Sequence, residues 1–316
     1  MKKFVLKRTC IALLTVFLIL LLLFLMLDFM PGSPFNNEEK MSAEQIADLY
    51  HKYGLDQPII NRFFLYLKNM LHGDFGISYS LQVNMKISEM IGPKILVTIR
   101  LGLQAALVGT VIGALLGIIA ALRKNTWVDT VTTIISVLGV SLPSFVFALL
   151  LSYFFGFKFK LFPFIYNTKN ELQSSILPTI SLSMFTIASV ARYTRSEMVD
   201  ILNSDYYLLS DSKGLPKAKL IFHHAIRNAM ISVITVLAPL IVNLMTGSLV
   251  VEKAFSIPGL GSLYVSAIQS NDFNVVLAIS FIYSLMFIFT MLLVDILYGV
   301  IAVSYTHLRA HETCAD

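Results

Sequence analysis

Few side chains in this sequence are typed and spaced for chemistry, and those few argue against catalysis. No Gly is followed by Lys, so the phosphate-cradling Gly-x-x-x-x-Gly-Lys-Ser/Thr loop of nucleotide hydrolases is missing. His223 and His224 are adjacent, about 100° apart on a helix, which makes a poor chelating pair; they face a membrane surface or a partner instead. His307 and His311 are four apart but lack the Glu of His-Glu-x-x-His. Cys10 and Cys314 are the only cysteines, too few for a disulfide framework or a metal cluster. Arg100 and Asp295 lie near the ends of apolar runs, where snorkelling explains them, and no ladder of carboxylates suited to a proton relay accompanies them. The expectation is a chain with no catalytic residue, no metal site and no cofactor of its own.

What remains is one polar stretch, Ser204 to Met230, set between segments almost free of charge. Its pattern predicts two short helical pieces separated by Gly214-Leu215-Pro216: Gly permits a left-handed stop, and Pro suits the first turn of the next helix. Such a pair on a membrane face is a docking surface; the plainer alternative is a solvated connector.

The elements that position this stretch follow from composition. With 316 residues, 56% of them hydrophobic, the chain exceeds the apolar share of soluble domains, about 45–50%, and reads as an all-helical polytopic membrane protein. The net charge of +5 sits beside apolar runs with no basic stripe interleaved with aromatics, so nucleic acid is not a partner; membrane lipid is.

A basic start, Lys2, Lys3, Lys7 and Arg8, leads into a first span over 9–27, which has no small-residue cleavage site. In the polar region that follows, Ser42 and Gln45 form a capping box, Gly54 can stop that helix, and Pro58 can open another ending at Gly73. Ile60, Phe63, Phe64, Leu67 and Leu71 share one face of the latter, to pack on the protein's own spans or to lie at the membrane interface. The second span, 96–122, carries Ala105, Gly109, Gly113 and Gly117 four apart, a ridge for close helix approach. After a turn with Arg123, Lys124 and Asp129, a third span over 130–155 is interrupted by Pro143, a kink that is either structural or pathway-lining. Spans four to six follow over 176–191, 229–251 (with Pro239, Asn243 and Gly247) and 275–301. Lys and Arg cluster at the amino end, at Arg123-Lys124 and between Arg192 and Arg227, which places both termini and the central loop in the cytoplasm.

The order and spacing of several motifs carry a resemblance. They are Pro31-Gly32-Ser33-Pro34, Gly54-Leu55-Asp56-Gln57-Pro58, Gly73-Asp74-Phe75-Gly76-Ile77-Ser78, Ser141-Leu142-Pro143-Ser144 and Thr194-Arg195-Ser196. They continue with Asp205-Tyr206 leading to Lys213-Gly214-Leu215, His224-Ala225-Ile226-Arg227-Asn228-Ala229, and Val251-Glu252-Lys253-Ala254-Phe255-Ser256-Ile257-Pro258-Gly259-Leu260-Gly261. The chain resembles inner-membrane permease subunits of ATP-binding-cassette importers, in the dipeptide, oligopeptide and nickel branch. The resemblance implies a six-helix permease of the cytoplasmic (inner) membrane of a bacterium or archaeon. It implies four kinds of partner: a second homologous permease, two ATPase subunits that use the ATP, an extracytoplasmic solute-binding protein, and lipid. The solute it implies is a di- or oligopeptide, with nickel or another small solute as the alternative; apart from the resemblance, a self-sufficient ion-coupled transporter is the alternative reading.

By the same resemblance, the ATPase-coupling loop is carried by Asp205, Tyr206, Ser210, Lys213, Gly214, Leu215, His224, Arg227 and Asn228, and a binding-protein-facing external loop by Phe255, Pro258, Gly259 and Gly261. Leu208, Leu209 and Ser210 stand where the family's Glu-Ala-Ala triplet lies, and Ser232 where a Pro is frequent. The expected division is 1–29, the N-terminal segment and first span; 30–95, an external region with short helices; 96–301, a five-helix core with coupling loop 192–228; and 302–316, a tail resembling translated sequencing-adapter read-through and set apart as non-native.

Overall fold

The computed structural model describes residues 2–29, 41–52 and 54–312, and among them the fold is all helical, with one isolated bridge between Ile77 and Lys86. The Pro31–Pro34 motif lies outside the described residues, as do the side chains of Ser232, Asn243, Asp295 and the 302–316 tail. The helices are α1 (Lys2–Asp28), α2 (Ala43–Lys52), α3 (Ile59–Leu71), α4 (Ile87–Leu122), α5 (Trp127–Ser141), α6 (Ser144–Leu151), α7 (Glu171–Leu202), α8 (Asp205–Ser212), α9 (Lys217–Lys219), α10 (Arg227–Ala254), α11 (Leu260–Gln269) and α12 (Phe273–Glu312). Among the described residues four helical stretches are long and apolar enough to cross a membrane: 6–28, 87–122, 168–202 and 273–293. A fifth arises if α5 and the helix after it form one broken span. The remaining expected span corresponds to α10, whose 28 residues reach about 42 Å at 1.5 Å per residue.

The chain forms two compact units: 1–98 with 258–292, and 99–257 with 293–316. In the first unit, local signals behave as their chemistry dictates. Ser42 N–H donates to Gln45 Oε1 at 3.0 Å and Gln45 N–H to Ser42 Oγ at 3.3 Å, the reciprocal capping box that starts α2. Gly54 and Gly73 both take positive φ, +66° and +78°. α3 packs on α1 through Phe63, whose ring meets Phe17 and Phe24 edge-on, with Met70 buried on the same side and an Arg62–Asp28 ion pair beside it. The expected α3 face is thus split. Phe63 turns inward, whereas Ile60, Phe64 and Leu71 stay exposed as on an interfacial helix.

The loop after α3 is organised by a residue far away in sequence. Fully buried Asp272 accepts the Ser78 hydroxyl at 2.5 Å and the backbone N–H groups of Ser80 and Leu81 at 3.0 Å each, with Tyr79 N–H at 3.3 Å. Asn274 adds a side-chain donor to the Ile77 carbonyl at 3.1 Å. These bonds satisfy both a buried carboxylate and a run of loop amides that helix or sheet would otherwise have to pair.

The second unit is built around α7, the most enclosed of the candidate spans, with 78% of its most apolar stretch buried. It packs against α5, α6 and α10. It also meets the glycine ridge of α4. A Cβ on Gly109 would lie 2.7 Å from Thr186 Cβ, one on Gly113 2.8 Å from the Ile187 carbonyl oxygen, and one on Gly117 2.6 Å from the Ala191 carbonyl oxygen. Gly139 of α5 repeats the device against Met184 and Ala188. Without a hydrophobic drive between helices in lipid, this close approach is how spans gain packing energy.

Several boundaries differ from expectation, each for a physical reason. α4 begins at Ile87, not at 96, because Pro93 sits early enough in the helix to forfeit a single backbone bond. α7 runs to Leu202, so Arg192 and Thr194-Arg195-Ser196 are helical and the loop expected at 192–228 begins at Asn203. Arg195 is no loop cation: its Nε and Nη2 donate to Asp129 Oδ1 and Oδ2 at 2.5 and 2.7 Å. Asp129, expected in a turn, is a buried α5 residue that also accepts Asn125 N–H at 3.0 Å. Arg100, read as snorkelling, pairs with Glu171. The third span is not merely kinked at Pro143: α5 and the helix from Ser144 to Lys158 meet at 106°.

Gly113 and Gly92 of α4 give a matched test, since a Cβ on Gly92 meets nothing within 4 Å. Gly113→Ala is expected to lower the melting temperature of the detergent-purified protein through about 1–3 kcal/mol of overpacking. Gly92→Ala should leave it unchanged or raise it slightly, by up to about 1 kcal/mol of helix propensity. Thermal unfolding of both variants side by side checks this.

Candidate functional site

The polar stretch folds as two short helical pieces, with one difference from expectation. α8 ends at Ser212, Lys213 N–H donates to Leu209 O at 3.3 Å, and Gly214 N–H to Asp211 O at 2.9 Å. Gly214 takes φ +75°, the left-handed stop anticipated for it. Pro216 then opens α9 as its N-cap. The second piece is not separate from the next span. Lys217–Lys219 passes into a π-helical turn, Leu220–Ile226, and then into α10, with Lys219 and Ile226 both in right-handed helical conformation. The chain from Lys217 to Ala254 is thus one continuous helical run. π-helical turns inside such runs recur at functional sites.

This region has a firm base. Buried Ala121 of α4, Met198 of α7, Ala225 and Ala229 form one cluster, with Ile118, Val199, Leu202, Tyr207 and Ile226 packed against it. Burial, with the Asp211 carboxylate adding to it, raises the Tyr207 phenol pKa, so it stays neutral. Across the top, Asn228 Nδ2 donates to the Tyr206 hydroxyl at 3.1 Å, tying the start of α10 to α8. Two residues singled out from sequence, 22 positions apart, are thereby in direct contact.

The other candidates take clear places. Asp205, Lys213, Gly214 and Arg227 are exposed; Ser210, Leu215 and His224 are half-buried. Ser210 is turned back onto its own helix, its hydroxyl donating to Tyr206 O at 2.8 Å. Three exposed apolar side chains were not among the candidates: Leu208 (55% exposed), Leu209 (58%) and Phe222 (69%). For Leu208 and Leu209 the signal was their place in the triplet; nothing local marked Phe222. Exposed large apolar residues on an otherwise charged, ordered surface mark contact sites.

The external candidates are placed differently. Phe255, Gly259 and Gly261 are buried and Pro258 is half-buried, while Lys253, Ala254 and Ser256 are exposed. Phe255 is an anchor: its carbonyl accepts Tyr166 N–H at 2.9 Å, and Ile257 N–H returns to Glu252 O at 2.8 Å. Ser256, held at φ +55°, is the turn's exposed tip. A surface here is presented by those neighbours of the motif's aromatic and glycines.

Residues 113–306 match the family described as binding-protein-dependent transport system inner membrane component, and residues 1–85 match the N-terminal family of the same membrane components. The dipeptide transport system permease protein DppB of Lactococcus lactis subsp. cremoris is 41% identical over 301 residues, 95% of this chain and 98% of that one. DppB of Bacillus subtilis is 37% identical, covering 95% and 97%. The oligopeptide transport system permease protein OppB of Salmonella typhimurium is 36% identical, covering 95% and 98%.

At Gly214 the positive φ, with no neighbour within 4 Å of a Cβ, makes strain the sole consequence of substitution. Gly214→Val is expected to cost roughly 1–2 kcal/mol locally and to speed amide exchange over residues 213–220 about tenfold. Exchange in α4 and α7 should not change. Hydrogen exchange of the two proteins, read peptide by peptide, checks this.

Proposed function

The chain belongs to the family of binding-protein-dependent transport system inner membrane components, and from that premise we propose that it is the peptide-conducting permease subunit of an ATP-driven importer. Its relatives over nearly the whole length are named as dipeptide and oligopeptide permeases, which favours peptides over nickel as the solute. Membership of this family also displaces the ion-coupled transporter. The protein is a multi-pass component of the bacterial inner membrane.

The observation that carries the coupling part of this reading is the ordered loop with exposed Leu208, Leu209 and Phe222 over a base buried against α4 and α7. A solvated connector needs neither the base nor three exposed large apolar side chains. In the proposed complex this loop lies on the cytoplasmic side with both termini and seats in a groove of a separate ATPase subunit. Two such subunits, a second permease and an extracytoplasmic binding protein complete the assembly. ATP is used by those partners, and this chain contributes no cofactor site.

Force then has a defined route. Closure of the ATPase pair displaces α8 and α9, and α10 must follow because the run from Pro216 onward is unbroken. α7 must follow too, because Met198 shares the loop's buried cluster. Elements packed this closely move as rigid bodies between discrete arrangements. On the outer side, the exposed Lys253, Ala254 and Ser256 around buried Phe255 face the binding protein.

Reconstituted alone, the chain should hydrolyse no ATP above empty liposomes. With its partners, it should take up radiolabelled dipeptide in an ATP- and binding-protein-dependent way. Gly214→Val in that complex should lower uptake and binding-protein-stimulated hydrolysis together, by about tenfold for about 1.4 kcal/mol of misplacement. Lys213→Ala should change either by less than about fivefold, as befits an exposed charge. ATP turnover by the isolated chain contradicts the subunit assignment, and wild-type transport by Gly214→Val contradicts the coupling role.

A further inference from the structure

We propose that a cavity at the outer end of α1 is a headgroup site for an aminophospholipid, phosphatidylethanolamine being the simplest that fits. The inference does not depend on the solute. It rests only on the membrane placement proposed above, in which the amino terminus is cytoplasmic and Asp28 lies at the opposite face.

The space and its level in the membrane are the first observation. A cavity of about 670 Å³ lies within the first unit, between the last turns of α1, one side of α3, the loop 74–79 and the start of α12. It falls within the roughly 300–1,000 Å³ of pockets that enclose a whole small ligand. Phe24 and Leu27 of its wall belong to the last turns of the candidate span 6–28, so the cavity stands where hydrocarbon gives way to headgroups. Beside it α3 keeps Ile60, Phe64 and Leu71 exposed, as a helix lying on that boundary does. On α1, exposed Leu18, Leu22 and Met26 follow one another four apart, a strip against which acyl chains can lie.

The second observation is two polar atoms without partners. The Tyr66 hydroxyl and Arg62 Nε, from α3 residues that line the cavity, are shut away from solvent and make no hydrogen bond. Burial, with Tyr79 adding to it, raises the Tyr66 phenol pKa, so Tyr66 is a neutral donor. Buried donors without acceptors are costly, and phosphate or ester oxygens in the cavity supply acceptors.

The third observation is charge. Arg62 is the one Lys or Arg among the described lining residues, and its Nη2 already donates to Asp28. Asp74 is exposed, with one oxygen accepting Gly76 N–H at 2.9 Å, and no second base lines the cavity to balance it. A purely anionic headgroup would meet excess carboxylate here, whereas anionic lipids select basic pockets. A headgroup with an ammonium beside its phosphate suits both ends, giving N–H donors to Asp74 and oxygens to Tyr66 and Arg62. A choline headgroup has the charge but no N–H to donate, so the site distinguishes the two.

The test uses the full-length chain, purified in detergent and stripped of lipid. It is titrated with phosphatidylethanolamine, phosphatidylcholine or phosphatidylglycerol carrying a fluorescent acyl chain, and the apparent Kd is read by anisotropy. Phosphatidylethanolamine should bind about tenfold more tightly than the other two, the worth of one charge-assisted hydrogen bond. Tyr66→Phe should weaken it by up to about tenfold, yet without lipid should melt no lower than the parent, because the hydroxyl removed is one the protein leaves unpaired. Asp74→Asn, whose amide oxygen can still accept Gly76 N–H, should bind ethanolamine and choline lipids alike. Soluble glycerophosphoethanolamine, lacking acyl chains, should compete about a hundredfold more weakly than the lipid. Equal binding of the three lipids by the parent, or binding unmoved by both variants, would overturn the proposal. So would glycerophosphoethanolamine or a dipeptide displacing the lipid at equal concentration, since the cavity would then serve a soluble ligand. Dipeptide uptake by the full complex is scored separately, and its absence overturns the importer reading without bearing on the lipid site.

Discussion

Close approach to α7 is the constraint on which the transmembrane part depends. Four glycines, three on α4 and one on α5, each leave less than a methyl group's clearance to α7 backbone or Cβ atoms. In lipid there is little else to hold spans together, since hydrocarbon is as apolar as Leu. Dispersion over a dry, near-contact surface has to suffice, and it falls off within about an ångström of separation. The Asp129–Arg195 pair reinforces the same helix against α5 with two parallel hydrogen bonds. Such a part-buried pair is a better device for fixing register than for adding net stability.

That tightness has a mechanical meaning. α7 carries Met198 into the loop's buried base at one end and lines a cavity beside Pro143 further along. α10 does likewise, from Ala229 to Leu240 and Leu244. Displacement of the loop cannot be absorbed by sliding where a Cβ would already clash, so it reaches the break as a shift of whole helices. Among the described residues the break is the one place where two apolar helices meet at so sharp an angle.

The parts of this architecture that were legible in the sequence are those encoded within a few residues. Ser42 and Gln45 announce a capping box, Gly54, Gly73 and Gly214 announce left-handed stops, and small residues every fourth position announce a helix contact. The partner of that ridge was not legible, because nothing local says which helix approaches. Asp272 reaches a loop 191 to 194 positions away, and Asp129 finds Arg195 66 positions away. The loop was started too early for the same reason: Arg192 and Arg195 look solvated until the carboxylate that neutralises one of them is placed. Pro143 signalled an interruption, but its 106° angle is set by packing on α7 and α10. For the site, Tyr206 and Asn228 were both named from sequence, whereas the exposed Leu208, Leu209 and Phe222 emerged once helix phase and burial were known.

The central claim is that this loop, with Leu208, Leu209 and Phe222 exposed on it, is where the membrane part meets its ATPase. The most direct measurement is a cross-link from that loop. In the cysteine-free complex, Leu209→Cys should form a bond of short reach with the ATPase subunit, and its yield should change when ATP is added. Actively transporting complex in which a cysteine at 209 reacts freely with bulky soluble reagents, and never cross-links to the ATPase, would contradict the account.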